Sequence, residues 1–312
     1  MEVATLTTFD ERLTAAVRRA ANPVVVGLDP RWDELPDAVK SRFDGDRLDG
    51  RAAAYGQFCR GVIDVVAGRV PAVKPQVAFF EQLGPAGMQA LCDTIVCARE
   101  RGLLVIADGK RNDIGSTAEA YADGWFGAES VWKADALTVS PYLGGDSLDP
   151  FVAACEQRGA SIFVLVKTSN PGGGQFQDLM ADGVPVYRHV AEHVEKLAAR
   201  TAGASGYGSI GAVVGATYPA QLAELRAAMP HAWLLVPGYG SQGATARDVA
   251  AAFDANGLGA LINNSRGIIF AHRRAEYANR FRPEQWQDAL AAATDDMIAQ
   301  LREATPAGRL VS

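Results

Sequence analysis

Groups capable of chemistry concentrate in one short stretch, Asp108-Gly109-Lys110-Arg111-Asn112-Asp113, which sets a carboxylate, an ammonium and a second carboxylate close together. The run before it, Leu103 to Ala107, is apolar and uncharged, lies between Gly102 and Gly109, and reads as a buried strand. Residues two apart in an extended chain face the same side, so Asp108 and Lys110 are expected to emerge together at the strand's C-terminal end. Asp113 falls beyond it, where the chain turns. Ser116-x-x-Glu119 reads as a capping box opening a helix over Thr117 to Ala122. A carboxylate beside an ammonium can hold and deliver a proton, but an isolated Asp/Lys pair is more often a weak surface salt bridge.

Repetition favours chemistry. The chain prefers Arg to Lys, and of Lys40, Lys74, Lys110, Lys133, Lys167 and Lys196, three (Lys74, Lys110 and Lys167) fall at the ends of strand-like runs. Lys can give up a proton at usable pH and Arg cannot. Asp29, Ser169, Gln242 and Arg266 occupy equivalent strand-end positions. Gly238-Tyr239-Gly240-Ser241-Gln242-Gly243 matches G-x-G-x-x-G ahead of a helix expected over Thr245 to Phe253. It lies late in the chain and lacks a carboxylate about twenty residues on, which argues against a dinucleotide site. Glycine-loop N–H groups, a helix N-terminus and the Arg266 fork suit a phosphate instead.

Eight strand-like runs must position these groups: Pro23–Leu28, 70–73, Leu103–Ala107, 136–139, 161–166, 210–214, 233–236 and 258–262. Helical stretches separate most of them, including 51–66, 89–101, 150–158, 187–200 and 221–229. Alternating strands and helices imply a parallel sheet, and eight units imply a closed (β/α)₈ barrel of the TIM type, where chemistry sits at the strands' C-terminal ends. No linker divides the chain, so 1–312 reads as a single α/β domain. Residues 172–209 form an insertion with a Gly/Ser-rich segment, 202–209, expected to be mobile. A tail helix, 286–302, should pack outside the barrel.

Composition narrows the function. A net charge of −6 over 312 residues argues against a nucleic-acid surface. No apolar run is long enough to span a bilayer and no signal-type segment opens the chain, so a cytoplasmic protein is expected. Cys59, Cys92, Cys97 and Cys155 lack metal or redox spacing and read as buried reduced thiols. His189 and His193 have helical ligand spacing without a supporting Glu pattern and read as a solvated face. No metal site is expected.

Together these segments resemble the orotidine 5′-phosphate decarboxylase family, in its longer bacterial branch. The likeness rests on Gly27-Leu28-Asp29-Pro30, Val73-Lys74-Pro75-Gln76, the run Asp108 to Thr117, Leu137 to Asp146, Lys167-Thr168-Ser169-Asn170-Pro171-Gly172, Val236 to Gly243 and Asn263-Asn264-Ser265-Arg266-Gly267. The Asp-x-Lys-x-x-Asp array alone is shared with related sugar-phosphate enzymes; the whole set is specific. The resemblance implies decarboxylation of orotidine 5′-monophosphate to uridine 5′-monophosphate, the last step of de novo UMP synthesis, without cofactor or metal. By the same resemblance Lys110 protonates carbon 6, Asp108 faces the substrate carboxylate, and Lys74 holds Asp108 and a ribose hydroxyl. Asp29 takes a ribose hydroxyl, Ser169 the pyrimidine, and Gln242 with Arg266 the phosphate. Asp113 and Thr117 reach the neighbouring site of a homodimer. Two rivals stand beside it: a magnesium-dependent sugar-phosphate decarboxylase of the same superfamily, and a barrel that binds nucleotides without turning them over.

Overall fold

A computed structural model describes residues 7–240 and 243–311. Eight strands close a barrel: β1 (Val24–Leu28), β2 (Ala72–Pro75), β3 (Leu104–Arg111), β4 (Ala136–Val139), β5 (Ser161–Lys167), β6 (Ile210–Val214), β7 (Leu234–Val236) and β8 (Ala260–Asn264). Each pairs in parallel with its sequence neighbours, and β1 closes on β8 through Val25 opposite Asn263. The chain thus adopts the (β/α)₈ barrel expected of it. Strands this apolar form because both faces are covered, as parallel strands require. Val25, Ala72, Ile106, Ala136, Phe163, Val213, Leu235 and Leu261 cluster as the barrel interior, while Val24, Val26, Val73, Val105 and Ile262 belong to the layer packed under the outer helices.

The main outer helices are α2 (Leu48–Val66), α3 (Gly84–Glu100), α4 (Gly115–Phe126), α5 (Asp149–Arg158), α6 (Val186–Arg200), α7 (Pro219–Ala228) and α8 (Trp286–Ala304), preceded in the chain by α1 (Phe9–Ala20). As expected, α8 lies outside the barrel, with the Trp286 ring 5.3 Å from Phe58 of α2.

Helix α1, absent from the sequence reading, plugs the N-terminal end of the barrel. Phe9, Leu13, Ala16 and Val17 join the interior cluster, and Phe9 meets Phe163 edge-on at 6.2 Å. Arg12 bridges Asp135 at 2.5 Å and donates to the Gly159 carbonyl at 2.9 Å, while buried Asp10 accepts from Ser209 Oγ at 3.0 Å. Full burial of a side chain such as Leu13 or Val17 is worth roughly 1.5–3 kcal/mol.

Four local expectations are corrected. The segment Thr245–Phe253 is a series of turns ending in a 3₁₀ turn, Ala250–Ala252, and not an α-helix. Asp248 takes both the N–H and the hydroxyl of Thr245 at 2.7 Å, and Phe253 is already extended, so no room remains for a regular helix. Helix α4 starts at Gly115, with no side-chain cap from Ser116 and Asp113 Oδ1 accepting the Ile114 N–H at 2.9 Å. The 202–209 segment is pinned: the Tyr207 ring packs tilted against Trp233, 4.9 Å between centroids, and its hydroxyl donates to Asp254 at 2.8 Å. Of the thiols, all four are free, but only Cys59 and Cys155 are buried. Helices 51–66, 187–200 and 286–302 stand near their expected bounds.

Candidate active site

The C-terminal mouth of the barrel encloses a cavity of about 570 Å³. Asp29, Lys74, Asp108, Lys110, Ser169 and Arg266 all line it. Its floor is made of inward strand positions. Lys74, Asp108 and Thr138 on β2–β4 form a charged side, and Leu165, Val213 and Leu235 on β5–β7 form an apolar one.

Asp108 is the centre. It is 8% exposed, and its two oxygens collect four donors: Lys74 Nζ (2.6 Å) and Gln76 Nε2 (3.0 Å) on Oδ2, Lys110 Nζ (2.5 Å) and Thr138 Oγ1 (2.9 Å) on Oδ1. Burial alone would raise its pKa, but the flanking ammoniums Lys74 and Lys110 outweigh it and hold the carboxyl well below the usual carboxylate range. Lys74 is buried as well. Burial pulls its pKa down, yet Asp108 and, behind it, Asp29 carry it above the ordinary lysine value. The pair is therefore ionised throughout neutral pH.

Lys110 reaches Asp108 by a different route from simple alternation. Its backbone is left-handed (φ 46°), the β3–β4 register shifts between Ala107 and Arg111, and its N–H donates to Thr138 Oγ1 at 3.0 Å. A non-glycine residue there costs about 1–2 kcal/mol, strain of the kind found at functional sites. The result is a half-exposed ammonium standing in the cavity against a buried carboxylate. Gln76 and Thr138 were missed from sequence. Both lie two residues along from inward positions, Lys74 and Ala136, and that spacing was the available signal.

The other residues are placed as follows. Asp29 is half-buried, and its Oδ1 lacks a hydrogen-bond partner among the described residues. Ser169 packs against Gly215, just past β6, because that residue has no side chain; a Cβ there would lie 2.8 Å from Ser169. The glycine loop after β7 needs its glycines, since Gly238, Gly240 and Gly243 have φ of 107°, 70° and 95°. Tyr239 ties that loop to α8 through Gln300 at 2.6 Å. Gln242 lies outside the described residues. Arg266 opens a single helical turn, Arg266–Ile269, and lines both the cavity and an adjoining cleft beside Tyr239 and Gly243.

Asp113 and Thr117 do not line this cavity. They sit past the end of β3, Asp113 half-buried and Thr117 exposed, on a surface that also shows Ile114 (57% exposed) and Tyr121. His189 lies exposed on α6, its Nε2 3.0 Å from the Ala181 carbonyl. Among the described residues no cluster of three or more His, Cys, Asp or Glu side chains could hold a metal ion, and no helix is long and apolar enough to cross a membrane.

The model of the orotidine 5′-phosphate decarboxylase / HUMPS family matches residues 22–281. An orotidine 5′-phosphate decarboxylase of Rhodopirellula baltica is 58% identical over 299 residues, covering 95% of this chain and 99% of that one. One from Deinococcus radiodurans is 44% identical over 265 residues, 85% of this chain and 90% of its own. The solved structure of Leishmania donovani OMP decarboxylase, 33% identical, superposes with a TM-score of 0.74 over 96% of this chain and 98% of that one.

Proposed function

The chain belongs to the orotidine 5′-phosphate decarboxylase / HUMPS family, and we propose that it decarboxylates orotidine 5′-monophosphate to uridine 5′-monophosphate as a carboxy-lyase of pyrimidine biosynthesis. The observation that carries this reading is the buried Asp108 carboxylate held between Lys74 and Lys110 on the floor of a nucleotide-sized cavity.

Loss of carbon dioxide from carbon 6 leaves a lone pair in the ring plane, with no conjugated sink. Stabilisation must come from fixed charge. Asp108, locked ionised, faces the departing carboxylate and disfavours the ground state, while the Lys110 ammonium neutralises the carbanion and delivers the proton. Carbon 6 gains the proton that Lys110 loses, and the C–C bonding pair becomes the new C–H pair. Each tenfold in rate needs about 1.4 kcal/mol of selective stabilisation. Phosphate contacts from Arg266 and Gln242, and ribose contacts from Asp29 and Lys74, supply part of it from a distance, with Ser169 on the pyrimidine.

No metal or cofactor enters this reading. A divalent cation on Asp108 would have to displace an ammonium from each oxygen. Residues 1–312 act as one cytoplasmic barrel domain, paired as a homodimer. The exposed Ile114 and Tyr121 and the neighbouring Tyr142 (81% exposed) and Leu143 offer an apolar surface, and Asp113 with Thr117 would cross it into the partner's site. Orotidylate turnover followed with and without a chelator tests the proposal. Chelator-resistant decarboxylation is expected. Binding without turnover, or chelator-sensitive activity on a sugar phosphate, would overturn it.

A further inference from the structure

Among the described residues, four buried polar side chains line the cavity: Lys74, Asp108, Thr138 and Asn263. The first three bond one another. Asn263 has no such partner; it is 7% exposed, and its Oδ1 is buried without a hydrogen bond among the described residues. Its orientation follows from strand alternation. Leu261 belongs to the barrel interior, so Asn263 two residues on faces inward at the floor. Asn264 turns the other way, where Nδ2 meets Met297 Sδ at 3.6 Å and Oδ1 accepts the Gly267 N–H at 3.2 Å. The residue in register with Asn263 on β1 is Val25, which offers no side-chain donor.

A buried amide oxygen with no protein donor is unfavourable, so its place at a cavity floor points to a donor brought by the ligand. A second orphan acceptor, Asp29 Oδ1, belongs to the adjacent strand end. Between them Gly27 makes room for a third oxygen: a Cβ there would lie 1.8 Å from Ser265 Oγ and 3.2 Å from Asp29 Oδ1. The oxygen-bearing side chains of Asn263, Ser265 and Asp29, at the ends of β8 and β1, thus line the cavity beside Lys74 of β2, whereas Leu165, Val213 and Leu235 make the apolar side. The flat ring suits the apolar side and the hydroxyl-bearing sugar suits the oxygen-rich one.

We propose that Asn263 is a specificity-determining residue, its amide oxygen accepting a hydrogen bond from a ribose hydroxyl of the bound nucleotide alongside Asp29. This rests on the nucleotide reading above.

The test pairs Asn263→Leu, close in shape but without the acceptor, with 2′-deoxy and 3′-deoxy forms of the substrate nucleotide. Asn263→Ala serves if Leu is not tolerated. The variant should lose roughly tenfold or more in kcat/KM on the full nucleotide. Wild type should lose a similar factor on the analogue lacking the bonded hydroxyl, and the variant should lose little further on that analogue. Its unfolding midpoint should hold or rise, because an unpaired buried acceptor has been removed. Unchanged kcat/KM in the variant, or full additivity of the losses on both analogues, overturns the proposal, as does a lower midpoint with normal kinetics. Absence of turnover by wild type would instead remove the nucleotide reading, and this inference with it.

Discussion

Replacing Lys74 by Met, Asp108 by Asn, and then both, tests how far the site's charge is built into the fold. Lys74 Nζ lies 2.6 Å from Asp108 Oδ2, with side-chain exposures of 5% and 10%. At that distance an effective dielectric constant near 20 gives an attraction of about 6 kcal/mol. Desolvation takes back much of it, while removing one partner of a buried pair typically costs about 3–5 kcal/mol because the other stays buried uncompensated. Asp108→Asn should therefore cost about 3 kcal/mol. Lys74→Met should cost somewhat less, since Asp108 keeps Lys110, Gln76 and Thr138. The double variant should cost at least about 1.5 kcal/mol less than the sum of the singles, well outside the scatter of independent sites. Urea unfolding at neutral pH, with slopes compared, measures this. The pH profile adds a sign. Pairing raises Lys74, so its contribution is present below its unfolded value of 10.5 and is lost as pH climbs through the folded one. Asp108 is lowered, so its contribution is present above 3.8 and lost as pH falls. Additive costs, or an alkaline limb unchanged in Asp108→Asn, would refute the coupling.

Lys110→Ala should abolish turnover yet cost less than about 1 kcal/mol of stability, because Lys110 is 47% exposed and solvent screens its bond to Asp108; product-nucleotide binding, read by calorimetry, should persist. Arg266→Ala should lower kcat/KM for the nucleotide at least about tenfold and leave a substrate lacking the phosphate nearly unaffected, as kinetics on both will tell. Mixing inactive Lys110→Ala and Asp113→Asn homodimers under subunit exchange should restore roughly a quarter of native activity if Asp113 serves the partner's site. No recovery despite demonstrated exchange would place Asp113 in its own.

The barrel was legible because its strands are buried on both faces and therefore read as short apolar runs between turns. The strand-end residues were legible for a related reason: a charge closing such a run interrupts the pattern. What was hidden depends on backbone detail or on tertiary partners. Strand alternation gave the right outcome for Asp108 and Lys110, but the contact is made by a left-handed step at Lys110 that nothing in its side chain signals. Gln76 and Thr138 look like ordinary strand-end polar residues until Asp108 needs four donors. Helix α1 did carry its signals, with Phe9, Leu13, Ala16 and Val17 on one face and Glu11 accepting the Thr8 N–H. The failed helix at Thr245–Phe253 shows a start signal without continuation, since Thr245 and Asp248 close on each other and Phe253 then extends.

The two ammoniums on Asp108 are unequal, and in the proposed mechanism this inequality would let one carboxylate serve both folding and chemistry. Lys74 is sealed in the floor, so it compensates the buried carboxylate whatever the cavity contains. Lys110 stands half in the cavity and can turn toward a ligand without leaving Asp108 uncompensated. Were both buried, neither could reach a reacting carbon. Were both exposed, Asp108 would be solvated and its negative charge too screened to act on a neighbouring carboxylate. The charged half of the floor is accordingly carried on β2–β4, whose positions the strand pairing fixes. The elements that must adapt to ligand size sit on the longer loops. Among their anchors are buried Lys167 against Asp178 in the segment after β5, and Tyr239 against Gln300 in the glycine loop. A rigid electrostatic floor under tethered loops is what catalysis by preorganised charge requires, because the charges must not relax as the carbanion forms.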